Sequence, residues 1–412
     1  MKKLLAFVFT LFTVGCASQM SLRDLPENPA IPEVRVLLQK GTTASVSAST
    51  AFAIKEQASQ KDILYVSAGQ AVELKRAQDK VEVFDAQGKS WGSHDKVLFT
   101  SLQSDVSYSV SGNRYRGSLT AYVKDGALQL INVLSMERYL MGVVRNEIGD
   151  LSSDQLDAAK AQAIAARTYA VRYKNKYTDY DYVSDVQDQV YKGVSSESPI
   201  TNQAVFETMG EILEYEGKPI QAFYYSTCGG LTANVQDVWL ASPATPYLVS
   251  LSNKIQGHCL CEESPHYRWQ INWTGAEIEQ LVKKNLPLVF PEADTAKLNK
   301  QRLYNLAVLE RDSSLRVKTF KIGFTKDEFT MTGEQARRVL RGDKYILYSS
   351  LFRIDLTRFP DGTIETAVCK GGGFGHGVGM CQYSARTMAR QGYSYRQILQ
   401  FFYRGAELRK SY

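Results

Sequence analysis

The sequence has no apolar run after its N-terminal segment that is long enough to cross a membrane. It also lacks a concentrated basic run and any nucleic-acid-binding motif, because its formal net charge of +6 is spread along 412 residues. We therefore expect no nucleic-acid partner. With 44% hydrophobic and 22% charged residues, the chain has the composition of a globular protein. The mild positive charge suits an anionic polymer, but it is equally typical of an ordinary basic surface.

The one long apolar stretch, LLAFVFTLFTV, follows Lys2 and Lys3 at the N-terminus. Its length is typical of a signal sequence and too short for a permanent membrane helix. The small residues before Cys16 resemble a bacterial lipobox, although Thr13 stands where leucine is usual; an ordinary signal peptide is the alternative. We expect residues 1–16 to be a lipoprotein signal peptide with Cys16 acylated. The protein would be exported and lipid-anchored at the cell envelope, facing the periplasm from the outer membrane in a two-membrane bacterium.

The rest of the chain divides by its pattern. Residues 17–32 contain three prolines and few apolar residues, which is typical of a tether. Residues 33–110 alternate in short runs such as KVEVFD and VLFTSL between turn signals, which predicts a β-rich module. Residues 111–412 add helical patterns and predict a mixed α/β domain, with an insertion at about 276–365. The expected fold class is α+β.

Two helices are expected early in this domain. The run MERYLMGVV has apolar residues at helical spacing, and SSDQLDAAKAQAIAARTYAVRYKNKY opens with a capping signal. Between them, Glu147 follows the apolar run LMGVV. A carboxyl group held against an apolar wall has a raised pKa, as a general acid working near neutral pH requires. The local pattern alone also fits a surface glutamate at a helix end.

A glycine-rich segment, GGGFGHGVGMCQYSA, occupies residues 371–385 and contains six glycines and His376. Glycine is favoured where φ is positive or where another backbone comes close. Two interpretations follow. The loop could present backbone N–H groups to a ligand, or it could be a tightly packed turn in which His376 is structural.

Four segments together resemble the stage II sporulation protein D / amidase enhancer family over about residues 110–412. They are LINVLSMERYLMGVVRNEIGDLSSDQLDAAKAQAIAARTYAV, YSTCGGLTANVQDVW, SPHYRW and GFGHGVGMCQYSARTMARQGYSYRQILQFFYRG. The resemblance implies a lytic transglycosylase of peptidoglycan that acts on glycan strands stripped of stem peptides, or an enhancer of the amidase that strips them. It implies an extended groove for the glycan and, for an enhancer, a cell-wall amidase as partner.

The resemblance also assigns residues. Glu147 matches the catalytic glutamate, and Lys160 and Arg167 match basic residues on the following helix that support activity. Their seven-residue spacing places both on one helix face, although solvated helix charge is the plain alternative. Sugar contacts are expected from Ser226, Thr227, His376, Gln382 and Tyr383.

The implied mechanism needs one carboxylic acid. Glu147 would protonate the glycosidic oxygen after N-acetylmuramic acid through an oxocarbenium-like state. Its carboxylate would then remove the proton from that sugar's C6 hydroxyl, which closes on C1 to give a 1,6-anhydro sugar. No water is consumed, and the sequence offers no convincing acidic partner for Glu147, since Asp150 better suits a structural role.

Five cysteines follow Cys16, so at least one must be free, metal-bound or paired between molecules. The zinc site of sporulation members precedes the QVY motif, where DYDYVSDVQDQVYKG has neither Cys nor His, so that site cannot be carried over. A different group has zinc-ligand chemistry: Cys228, His258, Cys259, Cys261 and His266. A disulfide from Cys228 to Cys259 or Cys261 is favoured over zinc, free thiols are the third option, and no cofactor is expected to be required.

Two other functions are compatible with these residues. A cysteine hydrolase would use Cys381 or Cys228 as nucleophile and His376 as base. A non-catalytic module would instead bind glycan strands and stimulate or recruit an amidase.

Overall fold

The computed structural model describes residues 30–101, 103, 106–342 and 346–412. The predicted signal peptide, Cys16 and most of the predicted tether lie outside these residues. An N-terminal part made of strands is followed by a part that mixes helices and strands. The predicted α+β class is confirmed.

Antiparallel strands fill most of residues 33–135. They are β1 (Glu33–Gly41), β2 (Thr43–Ala48), β3 (Phe52–Glu56), β4 (Asp62–Val66), β5 (Ala71–Ala77), β6 (Lys80–Phe84), β7 (Ser90–His94), β8 (Lys96–Thr100), β9 (Ser107–Val110), β10 (Asn113–Arg116), β11 (Ser118–Lys124) and β12 (Ala127–Ser135). One sheet runs β1-β12-β11-β8-β3-β4 and the other β10-β9-β2-β5-β6-β7. Because side chains alternate along a strand, residues such as Val46, Leu74 and Phe99 point inward and are fully buried.

The sheets of this module draw strands from both sides of residue 110. β11 and β12 lie beyond that position, yet β12 pairs with β1 and β11 pairs with β8. β12 then leads directly into the first helix, so the sheet fixes where that helix begins.

The second part begins with the two predicted helices. Up to residue 261 its elements are α1 (Met136–Ile148), α2 (Leu156–Tyr173), β13 (Tyr182–Val183), α3 (Pro199–Glu207), β14 (Glu211–Tyr215), β15 (Lys218–Pro219), β16 (Tyr224–Tyr225), α4 (Val235–Val238), β17 (Lys254–Ile255) and β18 (His258–Cys259). α2 is buried along most of its length because its many alanines let α1 and α3 approach closely. Short β13 adds to the first sheet, parallel to β1.

The remaining elements follow residue 268. They are β19 (Trp269–Thr274), α5 (Gly275–Asn285), α6 (Thr295–Asn299), β20 (Leu303–Arg311), β21 (Val317–Phe324), β22 (Glu328–Thr332), α7 (Gly333–Val339), β23 (Phe352–Arg358), β24 (Ile364–Gly371), β25 (Met380–Cys381), α8 (Gln382–Arg390), α9 (Tyr395–Phe402) and β26 (Glu407–Lys410). β25 pairs in parallel with β16, and α8 and α9 pack against α2.

The segment predicted to be an insertion, about 276–365, supplies most of a second hydrophobic core. That core is separate from the one shared by the N-terminal sheets and α1, α2, α8 and α9. Its fully buried members include Ile278, Val282, Leu286, Phe320, Ile322, Val339 and Cys369.

Candidate active site

Glu147 lies in the last turn of α1, which ends at Gly149 with a positive φ of 81°. The apolar residues one turn earlier, Met141, Val143 and Val144, are buried, and the Glu147 side chain itself is half-buried. Its Oε1 accepts a hydrogen bond of 2.9 Å from the backbone N–H of Val190. One carboxyl oxygen is therefore held by the backbone, and the described residues make no hydrogen bond to the other.

Burial raises the pKa of Glu147 to about 7, although the hydrogen bond from Val190 acts in the opposite direction. The raised value means that loss of hydration outweighs the hydrogen bond. No ion pair to Glu147 occurs among the residues that the structure describes. The carboxyl group is thus partly protonated at neutral pH, as the sequence predicted from its apolar wall.

Three hydrogen-bonded side chains, Tyr139, Gln189 and Tyr224, form a network near Glu147. The Tyr139 hydroxyl donates to Gln189 Oε1 at 3.1 Å, and Gln189 Nε2 donates to the Tyr224 hydroxyl at 3.0 Å. The pKa of Tyr224 is raised by burial first and then by the negative charge of Glu147. Gln189 and Tyr224 therefore belong to the site. Neither residue was predicted from the sequence, and nor was Val190, because a backbone hydrogen bond leaves no side-chain pattern.

The two basic residues of α2 lie on one face of that helix, as their spacing predicted, and both contact residues of α3. Lys160 Nζ lies 2.5 Å from Glu207 Oε2, and its side chain is 17% exposed. Arg167 is fully buried and donates to both carboxylate oxygens of Glu137, at 2.8 and 2.7 Å, and to Val205 O. A guanidinium without exposed surface cannot contact a glycan. The substrate role predicted for Arg167 is therefore corrected to a structural one.

Ser226 and Thr227 differ in access although they are adjacent. Thr227 is fully buried, its hydroxyl lies 2.6 Å from that of Ser264, and its backbone exchanges hydrogen bonds with Phe374. It therefore holds the glycine-rich loop in place. The sugar contact predicted for Thr227 is corrected, because a fully buried hydroxyl cannot reach a glycan. Ser226 is half-buried, with its Oγ 3.2 Å from Thr227 Oγ1.

The groups that approach the glycine-rich loop closely are the protein's own. At Gly375, with φ of 112°, an added Cβ would lie 2.7 Å from Tyr225 Cβ. At Gly379, with φ of 79°, it would lie 2.0 Å from Phe223 O. Both glycines therefore make room for the segment that contains β16.

Backbone N–H groups of this loop are also occupied within the protein. Four of them donate to carbonyl oxygens at 2.8–3.0 Å: Gly372 to Leu351, Gly373 to His266, Phe374 to Thr227 and Gly375 to Tyr348. These N–H groups are not available to sugar hydroxyls or acetamides. Residues 372–375 therefore form a tightly packed turn, which is the second of the two interpretations of this segment.

His376 is held in one tautomer. Its Nδ1 accepts from the Val378 N–H at 3.1 Å, so the ring proton is on Nε2, which donates to Tyr224 O at 3.1 Å. Burial lowers the pKa of His376 to about 3, and the positive charge of Arg337 acts in the same direction. The neutral ring therefore ties the loop to β16, and its predicted sugar contact is corrected because neither nitrogen is free.

Gln382 and Tyr383 begin α8. Gln382 is buried, and its Nε2 lies 3.3 Å from Gln162 Oε1 on α2. Tyr383 is half-buried, with the Arg386 guanidinium 5.2 Å above its ring. Arg386 also donates to Asp150 O at 3.1 Å, just beyond the end of α1. Tyr383 and Arg386 thus lie beside the segment that follows α1, whereas Gln382 joins α8 to α2.

The predicted cysteine group is present in part. Cys228 Sγ lies 3.2 Å from Cys261 Sγ, and Cys259 Sγ lies 3.4 Å from Cys261 Sγ. Cys381, which the sequence analysis did not include, completes a group of three with Cys228 and Cys261. In this structure the sulfur atoms are not bonded, since a disulfide requires about 2.05 Å.

The two histidines predicted with these cysteines lie outside the sulfur group. The His258 side chain is 83% exposed, and its Nδ1 is 3.7 Å from Glu262. His266 packs against Phe374 and Tyr348, with ring centroids at 4.8 and 4.6 Å. The predicted metal-ligand roles of His258 and His266 are therefore corrected.

The cysteine-hydrolase alternative lacks an activating base. Burial raises the pKa of Cys381 to about 12 and holds that of Cys228 well above its usual value. His376, the proposed base, has both ring nitrogens in hydrogen bonds to the backbone. A neutral thiol without a base is a poor nucleophile.

A family model described as "Stage II sporulation protein" matches residues 124–215, which include α1, α2 and Glu147. A second model, described as "Domain of unknown function (DUF8618)", matches residues 250–379. No helix in the described part of the chain is long and apolar enough to span a membrane.

Relatives with similar sequences extend over most of the chain. An amidase enhancer of Bacillus subtilis is 29% identical over 89% of this chain and 53% of its own length, so the chain spans about half of that relative. An uncharacterized protein of Brachyspira hyodysenteriae is 31% identical over 73% of this chain and 74% of its own. A stage II sporulation protein D of Bacillus amyloliquefaciens is 31% identical over 67% and 74%. The chain belongs to the stage II sporulation protein D family.

Proposed function

We propose that the protein is a peptidoglycan lytic transglycosylase. It would cleave the bond between N-acetylmuramic acid and N-acetylglucosamine in strands stripped of stem peptides. The observation that carries the proposal is the half-buried Glu147 carboxyl, whose pKa is raised to about 7, at the position of the family's catalytic glutamate. A group poised near neutral pH can donate a proton and later accept one.

The geometry suggests which oxygen acts. Glu147 Oε1 accepts the Val190 N–H, so the acidic proton would reside on Oε2. Oε2 would give this proton to the glycosidic oxygen as the bond to C1 breaks, and positive charge would develop at C1. The resulting carboxylate would take the proton of the C6 hydroxyl as that oxygen bonds to C1. The enzyme returns to its starting protonation state, and no water or second carboxylate takes part.

Mass spectrometry of the products tests the proposal. The purified protein would be incubated with amidase-treated glycan strands, beside Glu147→Gln and the control Asp150→Asn. Asp150 is exposed and pairs with Arg145, so its variant is expected to retain activity. Products ending in 1,6-anhydro-N-acetylmuramic acid, absent only with Glu147→Gln, would support the lytic transglycosylase. Reducing-end products would mean hydrolysis and would contradict it.

The preference for stripped strands has a candidate basis in Arg386. Removal of a stem peptide leaves a free lactyl carboxylate on the muramic acid. Arg386 is half-buried beside the end of α1 and is stacked on Tyr383, where its guanidinium could pair with that carboxylate. Arg386→Gln should then weaken binding to stripped strands more than to intact strands. Arg390→Gln, on the same helix but paired with Glu263, is the matched control.

A second candidate function is a non-catalytic enhancer that binds glycan strands and recruits a cell-wall amidase. It is favoured by the alignment of an amidase enhancer along 89% of this chain. Under this proposal, Glu147→Gln would stimulate a cell-wall amidase as well as the unaltered protein does. The same preparations would yield no anhydro products, although both would be retained on strands.

We also propose that the protein acts at the cell envelope through a lipid on Cys16, with no other membrane attachment. The support is the sequence alone, in which small residues precede Cys16 after an apolar signal-like stretch. Labelling of cells with a fatty acid analogue should mark the protein, and Cys16→Ser should abolish the label. An unlabelled protein would contradict the anchor without affecting the enzymatic proposal.

A further inference from the structure

Four cysteines from three separate segments converge beneath the glycine-rich loop. Cys228 follows β16, Cys259 and Cys261 belong to the β17–β18 hairpin and the turn after it, and Cys381 ends β25. All four are at least 95% buried. The sulfur atoms of Cys228, Cys261 and Cys381 all lie within 4.8 Å of one another, and Cys259 Sγ is 3.4 Å from Cys261 Sγ.

We propose that these four thiolates bind one zinc ion in a structural site. Zinc prefers tetrahedral sulfur ligands at about 2.3 Å, which places neighbouring sulfurs about 3.8 Å apart. Two of the Sγ–Sγ separations, 3.2 Å for Cys228–Cys261 and 3.4 Å for Cys259–Cys261, are near that edge length and far from a disulfide bond. Cys259 lies outside the group of three sulfurs that are all within 4.8 Å of one another, so its side chain would move toward the ion on binding. With four protein ligands the ion would have no open position, so its role would be structural.

Polar groups aimed at the sulfur atoms would stabilise the thiolates that form when a metal ion displaces the thiol protons. Cys228 Sγ accepts from the Gly230 N–H at 3.2 Å and from Asn253 Nδ2 at 3.0 Å. Cys381 Sγ accepts from the Cys228 N–H at 3.3 Å and from the Ser384 hydroxyl at 3.2 Å. A neutral thiol is a weak acceptor, whereas donors of this kind commonly surround the thiolates of metal sites.

A buried cation nearby gives an independent argument. Arg316 is 1% exposed, and its Nη2 donates to Cys228 O at 2.9 Å while its Nε has no partner. Among the described residues, no carboxylate lies within ion-pair distance of its guanidinium. An unpaired buried charge is strongly destabilising. A zinc ion with four thiolates carries net negative charge, which would offset the charge of Arg316.

An ion could also reach the site. A cavity of about 520 Å³ is lined by His258 and Cys259 of β18, by Glu262 beyond that strand, by Thr387 of α8 and by Gln391 just after that helix. It leads from the surface to Cys259, which is 5% exposed. Such an entry path is one of the requirements for a protein metal site.

The site would tie together two segments near the end of α1. Cys228 follows β16, whose Tyr224 has its pKa raised in part by the charge of Glu147, and Cys381 directly precedes α8, whose Arg386 donates to Asp150 O. The zinc proposal stands apart from the proposed reaction, because it assigns the ion no contact with substrate. It also differs from the zinc site that the resemblance implies for sporulation members, whose segment in this chain has neither Cys nor His.

Metal analysis of the intact protein tests the inference. We expect about one zinc ion per chain in protein purified without added metal, and a lower midpoint of thermal unfolding after a strong chelator removes it. Cobalt substitution should produce the absorption bands of tetrahedral thiolate coordination. Cys228→Ser and Cys381→Ser should lose the ion. Cys369→Ser is the matched control, since Cys369 is equally buried but lies in the second core.

Three results would overturn the inference. The first is a metal-free protein whose intact mass is lower by two hydrogen atoms for each disulfide. The second is a metal-free protein with its full complement of free thiols. The third is iron with labile sulfide in place of zinc. Each is measured on the unaltered protein, so the test stands even if the cysteine variants fail to fold.

Discussion

Arg167 and Glu137 form a buried ion pair, with Nε and Nη2 2.8 and 2.7 Å from the two carboxylate oxygens. Neither side chain has exposed surface. The same carboxylate accepts the Gly210 N–H at 3.1 Å and the hydroxyl of Tyr412. This pair therefore joins α2 and the C-terminal residues to α1, the helix that carries Glu147.

We predict that Arg167→Met lowers the free energy of unfolding by about 3–5 kcal/mol, because it leaves the Glu137 carboxylate buried and unpaired. Urea denaturation followed by circular dichroism measures the loss. Lys160→Met is the control, since the Lys160–Glu207 pair is partly exposed and is expected to contribute at most about 1 kcal/mol. A stable Arg167→Met variant that binds glycan strands poorly would restore the substrate role that the sequence suggested.

The activity is predicted to fall as the pH rises through about 7, because the first step requires the protonated form of Glu147. Initial rates of anhydro-product formation between pH 5 and 9 measure this. An activity that rises steadily across the same interval would contradict Glu147 as the acid.

The raised pKa of Glu147 also predicts a pH-dependent stability. The folded state binds the proton more tightly than the unfolded state, so stability is lost as the pH rises from about 4.5 to about 7. Glu147→Gln removes this loss while keeping an acceptor for the Val190 N–H. The variant should match the unaltered protein near pH 4 and exceed it by up to about 3 kcal/mol above pH 8. Urea denaturation at each pH measures the two stabilities. A difference between Glu147→Gln and the unaltered protein that is the same at every pH would show that the folded-state pKa of Glu147 is not raised.

The sequence predicted the elements whose signals are local. Periodic apolar residues and the alanine-rich run located α1 and α2. The apolar run before Glu147 was compatible with a raised pKa but also with a surface glutamate, and the family resemblance singled this residue out. The roles of Arg167, Thr227 and His376 could not be predicted in this way. Each depends on a partner distant in sequence, such as Glu137, 30 residues before Arg167. Sequence pattern does not tell whether a polar side chain faces substrate or is satisfied within the core.

His376 is predicted to remain neutral, with its proton on Nε2, down to about pH 4. Its folded-state pKa is depressed, so this group contributes stability above about pH 6.5 that is lost as the pH falls toward 3. Nuclear magnetic resonance of protein labelled with ¹⁵N-histidine distinguishes the tautomers, and added imidazole reports the pH in the same sample. Protonation of the His376 ring near pH 6 would show that it is open to solvent and free to meet a ligand.

The last prediction addresses what the glycine-rich loop contacts. Gly379 and Gly392 have similar positive φ values of 79° and 84°, so alanine at either position carries the same backbone strain, about 1 kcal/mol. Only Gly379 faces another backbone, with Phe223 O 2.0 Å from an added Cβ, whereas nothing lies within 4 Å at Gly392. Gly379→Ala should therefore lower the free energy of unfolding by several kcal/mol, and Gly392→Ala by about 1 kcal/mol.

Urea denaturation of the two variants measures that difference directly. Backbone strain is common to both variants. The additional loss of unfolding free energy in Gly379→Ala therefore measures the contact of Gly379 with the segment that contains β16. Equal losses at the two positions would mean that the loop is not packed there. Its glycines would then be available to a glycan, and the substrate-contacting interpretation of the loop would be favoured over the packed turn.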